Sequence, residues 1–187
     1  MGRKEIQLES GVLLVAPPAM VDPNFRKSVV LLCEHTAAGS FGLILNHNIA
    51  VGMGELIADL SSFTEPVRIG GPVQLDTLHF LHRFGSDVSG AIEIFKGAFW
   101  GGELDDLQRL FVEKTPSRDD LRFFLGYAGW SPNQLENELS EHAWIVTELD
   151  SRIIMADPDL NLWQDTLEGL DGKYRTWINF PENPSLN

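Results

Sequence analysis

Three consecutive residues carry the side chains of a thiol active site: Cys33, Glu34 and His35, within the stretch "SVVLLCEHTAAGSFGLILN" from Ser28 to Asn46. A nucleophilic mechanism would use the thiolate of Cys33, the chain's only cysteine, with an adjacent imidazolium lowering the thiol pKa from about 8.5. In a strand, side chains alternate, so Cys33 and His35 should share a face while Glu34 points away. Their Cα atoms would lie about 7 Å apart, so contact requires both side chains to lean together or the strand to end at His35. Catalytic cysteines, however, usually draw their base from a distant segment. The competing reading makes Cys33 a small buried hydrophobe, with Glu34 and His35 satisfying neighbouring groups. That structural role leads, ahead of a redox-sensing thiol and then of catalysis.

Other constellations are weaker. His79 and His82 in "HFLH" are three apart, with His35, His47 and Asp22 as further metal ligands to consider. That spacing serves a helix, but "TLHFLHR" reads as extended, which turns positions 79 and 82 to opposite sides. With neither CxxC nor HExxH present, neither a metal nor another cofactor is expected. Gly70-Gly71 in "GGPVQLD" would let backbone N–H groups approach an anion, yet no G-K-[ST] ending follows and Pro72 lacks a donor. A tight turn demanding positive φ is the stronger reading.

In "GYAGWSPNQLENEL", Ser131 is the expected N-cap, Pro132 the first helical residue and Gln134 the partner in a capping box. The N–H groups at that helix start, with Trp130 and Gln134, form a ligand candidate; the alternative has Trp130 anchoring the helix on a sheet. Asn46, after "GLIL", is the remaining binding candidate, although an Asx-turn explains it as well as it explains Asp22 before Pro23.

The elements that must position these residues begin with four apolar, β-branched runs, at 11–16, 28–35, 41–46 and 66–71. Unbroken apolarity from Val29 to Leu32 predicts a central strand covered on both faces, and "TAAGS" has the length of a hairpin loop. "MGELIADL" predicts a short amphipathic helix, "ELDDLQRLFVEK" a helix burying Leu104, Leu107, Leu110 and Phe111, and "PDLNLWQDTLEGL" a last helix stopped by Gly172. "AWIVTEL" and "RIIMAD" read as a hairpin around Asp150-Ser151. Early strands followed by mixed helices and strands indicate an α+β fold, a mixed and largely antiparallel sheet flanked by helices. At 187 residues the chain fits one domain, 1–187, with 1–8 and 181–187 fraying.

Charge narrows the partners. Fourteen Lys and Arg face 27 Asp and Glu, a formal net charge of −13, and the whole excess lies beyond His47. Phosphate binding needs clustered cations, so direct nucleic-acid and anionic-membrane binding are disfavoured. The polar N-terminus lacks the apolar core of a secretory signal, and runs such as "GVLLVA" are too short to span a bilayer, so a cytoplasmic protein is expected.

Four phrases in order, "GVLLVAPPAMVDPNFRKSVVLLCEH", "GSFGLILN", "GGPVQLDTLHFLH" and "FFLGYAGWSPNQLENEL", followed by Trp144, resemble the YqgE/AlgH family of small, largely uncharacterised bacterial proteins. The resemblance runs from about Gly11 to about Trp163 and implies a compact domain on a large mixed sheet with helices; about activity it implies little. Some members have carried the label of transcriptional regulator, which the acidity here turns away from direct DNA contact. The expected function is non-enzymatic binding or regulation through an unidentified protein or small molecule. The alternative is a thiol enzyme or redox sensor using Cys33, and direct DNA regulation comes last.

Overall fold

The computed structural model describes residues 6–114, 116–148, 155, 161–170 and 172–179. Its strands are β1 (Leu13–Val15), β2 (Val29–Thr36), β3 (Gly39–Ile44), β4 (Asn48–Gly52), β5 (Pro66–Ile69), β6 (Val73–His82), β7 (Ile92–Phe95), β8 (Ala98–Trp100), β9 (Leu121–Trp130) and β10 (Ile145–Thr147). They join in the order β10-β1-β2-β3-β9-β6-β8-β7, with β5 linking β4 to β9. Pairing is antiparallel except where β5 runs parallel to β9. With helices α1 (Met53–Leu56), α2 (Leu104–Glu113), α3 (Gln134–Ser140), α4 (Leu162–Gly169) and α5 (Gly172–Arg175), the fold is α+β.

The "VVLLC" run shows how the sequence makes a central strand. Val29, Leu31 and Cys33 enter one apolar cluster, while Val30 and Leu32 enter the cluster on the opposite face. Both sets are at least 98% buried, as period-two alternation requires of a strand covered on both sides.

The sheet is curled. β3 and β8 are three strand spacings apart, about 14 Å in a flat sheet, yet the rings of Phe41 and Trp100 lie 4.6 Å apart. Near the sheet's two ends, a Cβ placed on Gly11 would come within 2.7 Å of the Ile94 carbonyl oxygen. The concave face holds the first cluster, into which α4 sends Leu162, Trp163 and Leu167. The Trp163 indole donates to the Ala16 carbonyl at 2.8 Å, across 147 residues of sequence. On the convex side, α3 contributes Leu135 beside Trp130 and Trp144, and α2 contributes Leu107 and Leu110 to a third cluster with Phe80 and Phe123.

Several expectations change in detail. α3 begins at Gln134, not Pro132, because Asn133 adopts a left-handed conformation, φ 63°, in the N-cap position. The Gln134 carboxamide still accepts the Ser131 N–H, so half of the anticipated box forms around a turn. "MGELIADL" divides at the extended Ile57 into α1 and a 3-10 turn, Ala58–Leu60. The last helix ends at Gly169, and Gly172 opens α5 where a stop was expected. β10 pairs with β1; its anticipated hairpin partner "RIIMAD" lies outside the described residues except Met155.

Candidate functional site

A β-bulge takes the thiol and the imidazole to opposite faces of the sheet. Leu31 pairs with Leu43 and Leu32 with Gly42, but the next partners are Glu34 with Phe41 and His35 with Ser40. Two residues of β2, Cys33 and its neighbour, thus occupy one step of β3, and alternation reverses beyond them. Paired residues share a face, so Glu34 joins Phe41 on the concave side and His35 turns to the convex side. There His35 Nδ1 is 2.8 Å from Ser40 Oγ, and Nε2 is 3.7 Å from the Glu136 carboxylate of α3. Cys33 keeps its place among Leu31, Leu43 and Phe124, 2% exposed, its sulfur 3.7 Å from the Leu31 carbonyl. Burial pushes its thiol far above the ordinary range, so the thiolate is strongly disfavoured in the native state.

Trp130 and Gln134 belong to an anchoring network. The Glu138 carboxylate accepts the Trp130 indole at 2.9 Å, the Trp144 indole at 2.7 Å and the Gln134 amide at 2.9 Å. Phe25 stacks on Trp130 and meets Trp144 edge-on. These contacts fix α3 to the sheet and use the polar atoms that a ligand would have needed.

Gly70 and Gly71 lie where the β5–β6 connection crosses β9. A Cβ on Gly70 would overlap the Gly126 carbonyl, and one on Gly71 the backbone of Tyr127 and Ala128. Only glycine permits that approach. Asn46 acts at longer range than an Asx-turn: Oδ1 accepts the Val29 N–H at 2.9 Å and Nδ2 donates to the Lys27 carbonyl at 2.7 Å. This clamp holds Lys27 at φ 50°.

Beside that clamp lies a feature absent from the residue patterns. His47 Nε2 is 3.3 Å from both the Ser28 hydroxyl and the Arg26 carbonyl. A carbonyl only accepts, so Nε2 carries the proton and cannot deprotonate Ser28, which is itself fully buried. The pair is no nucleophile and base. Desolvation holds the His47 imidazole below its ordinary pKa, keeping the ring neutral at pH 7. His47 lines an open depression of about 660 Å³, together with Asn24, Asn48, Ile69, Gly71 and Leu75. None of its lining residues is Asp, Glu, Lys or Arg. Leu75, 53% exposed, projects from a wide irregularity in which β6 advances five positions, Val73 to Leu78, while its partners on β9 advance only two, Tyr127 to Leu125. Only "NHN" at 46–48 hinted at this site, because its walls come from segments far apart in sequence.

His79 and His82 point to opposite faces. His79 meets Phe41 on the concave side, whereas His82 is fully buried near Phe80, Phe84 and Phe99. His82 Nε2 donates to the Gly101 carbonyl at 3.0 Å and Nδ1 accepts the Phe84 N–H, a neutral tautomer with both nitrogens used. Among the described residues, no three His, Cys, Asp or Glu side chains cluster to hold a metal ion.

A curled, largely antiparallel sheet with an uncharged surface depression and a sealed thiol describes a small α+β protein whose described residues bring the sequence's candidate nucleophile, Cys33, and its candidate base, His35, to opposite faces. The chain belongs to the AlgH-like family, whose model matches residues 13–175. A UPF0301 protein of Chlorobium limicola is 41% identical over 181 residues, 97% of each chain. One from Cytophaga hutchinsonii is 36% identical, covering 96% of this chain and all of that one. The crystal structure of protein DIP2367 from Corynebacterium diphtheriae superposes with a TM-score of 0.81 over 95% of each chain at 22% identity, a likeness of fold. The solution structure of AlgH from Pseudomonas aeruginosa gives a TM-score of 0.71 at 27% identity, covering 90% of this chain and 92% of that one. Among the described residues, no helix is long and apolar enough to cross a membrane.

Proposed function

We propose that this protein is a non-enzymatic binding or regulatory protein of the cytoplasm, and that the depression beside His47 receives an uncharged ligand. The observation that carries the reading is a neutral site on a strongly acidic chain: amides at Asn24 and Asn48, a neutral imidazole, and the apolar surfaces of Ile69 and Leu75. A charged ligand would find no counter-ion in the lining, and polar groups set among apolar walls orient a small neutral molecule. The thiol-enzyme reading loses its chemistry when Cys33 and His35 part and the sulfur is enclosed. Direct DNA binding remains opposed by the net charge.

An NMR screen of neutral, mildly apolar small molecules against the labelled full chain tests this. Saturable shifts centred on His47, Asn48 and Leu75, abolished by Leu75→Asp, support it; hits scattered elsewhere or indifferent to Leu75→Asp overturn it. In parallel, a thiol reagent at pH 7 should modify Cys33 only as fast as the protein opens. Rapid labelling of the native chain would restore the thiol mechanism.

A further inference from the structure

We infer that the depression beside His47 selects uncharged molecules presenting an N–H or O–H donor, such as primary amides and lactams; this rests on the binding role proposed above and adds the polarity its ligand must have. His47 fixes that polarity. Its Nε2 lies 3.3 Å from the Arg26 carbonyl, which only accepts, so Nε2 carries the proton and Nδ1 the lone pair. Nδ1 makes no hydrogen bond with a described residue and, unlike the ring nitrogens of His79 and Trp100, is not sealed from solvent. With its tautomer held by the fold, this nitrogen can accept and cannot donate.

Asn24 supplies a second acceptor to the same wall. Its Nδ2 donates to the Asp22 carboxylate at 3.0 Å, and a carboxylate only accepts, so the amide has one orientation. Its Oδ1 makes no hydrogen bond with a described residue. Much of the wall's donor capacity is spent or missing. Pro23 and Pro72 have no N–H to offer. The Asn24 N–H goes to Asp22 at 2.9 Å, and the Ile69 N–H to the His47 carbonyl at 2.8 Å. Asn48 already has a partner. A ligand with acceptors alone would strip water from the His47 and Asn24 lone pairs and return nothing. An ammonium or amidinium could donate, but the lining holds no carboxylate to offset its lost hydration.

The test is an NMR titration of the full chain, isotope-labelled in the backbone and the histidine rings. The ligands are matched pairs: benzamide with N,N-dimethylbenzamide, pyrrolidinone with N-methylpyrrolidinone, and phenol with anisole. In each pair that binds, the member with a donor should bind about threefold to tenfold more tightly, the worth of one hydrogen bond. It should also move the Nδ1 resonance of His47, which reports a proton offered to that lone pair. Benzamidine, the charged isostere of benzamide, should bind no more tightly than benzamide. Equal affinities within the pairs, an unmoved Nδ1 resonance, or a ring spectrum showing the proton on Nδ1 would overturn the donor preference and leave the proposed binding role standing. Tighter binding of benzamidine, or no saturable shift near His47 with any compound, would overturn both.

Discussion

Replacing Glu138 with alanine tests how α3 is held, and its cost can be worked from the geometry. The carboxylate accepts three donors within 2.9 Å, two of them indoles whose residues are only 5–6% exposed. A hydrogen bond to a charged group contributes about 1.5–3 kcal/mol, and an orphaned buried donor costs about 1–3 kcal/mol. The three bonds converge on one group, so these figures do not add. Glu138 is itself half-buried, and water entering the space left by the mutation would recover part of the loss. The net destabilisation should be about 2–4 kcal/mol, equivalent to a fall in Tm of roughly 5–15 °C for a chain of this size. Urea unfolding followed by tryptophan fluorescence and by far-UV circular dichroism measures it, with an unchanged m-value showing that only stability moved. Glu138→Gln retains one carbonyl acceptor and should lose about half as much. A loss below about 1 kcal/mol for the alanine variant, or equal losses for both, would refute the anchoring role.

Two further outcomes follow from burial and close approach. Desolvation lowers the imidazole pKa of His47, His79 and His82 in the folded state, so the unfolded chain takes up protons first. Stability should be full above the unfolded value of about 6.5 and decline below it, by up to about 1.4 kcal/mol per pH unit for each histidine still neutral when folded. Urea midpoints at pH 7.5 and 5.5 check this, and greater stability at the lower pH would contradict it. Gly71→Ala forces a methyl group into the Tyr127–Ala128 backbone and should cost at least about 2 kcal/mol. Gly169→Ala, with nothing within 4 Å of the new carbon at the end of α4, should be neutral or stabilise by up to about 1 kcal/mol, read from the same melts.

Periodicity made β2 and β3 legible, because unbroken apolar runs bounded by turns have few alternative structures. It misplaced the members of "CEH" because alternation holds only while register does, and no residue type announces the bulge. β9, which touches β3, β5 and β6, was hidden for a different reason. Its "LGYAGW" segment reads as turn chemistry, yet Gly126, at φ 66°, and Gly129 lie within the strand. Gly126 is needed there because Gly71 and Val73 carbonyls approach within 2.8 Å of where a side chain would begin. The His47 depression was illegible because Asn24, His47 and Leu75 become neighbours only through tertiary packing.

The pairing of β1 with β10 also sets the order in which the chain can be completed. Val15 meets Ile145, and the Trp163 indole reaches Ala16, so the first strand waits for about 130 residues before its second edge is covered. At a synthesis rate of about 5–20 residues per second, that interval is roughly 7–26 s. During it "LLV" can pair with β2 alone, leaving an apolar edge open to other nascent chains. A fold with such high contact order forms slowly, and the vulnerable period ends only when β10 emerges.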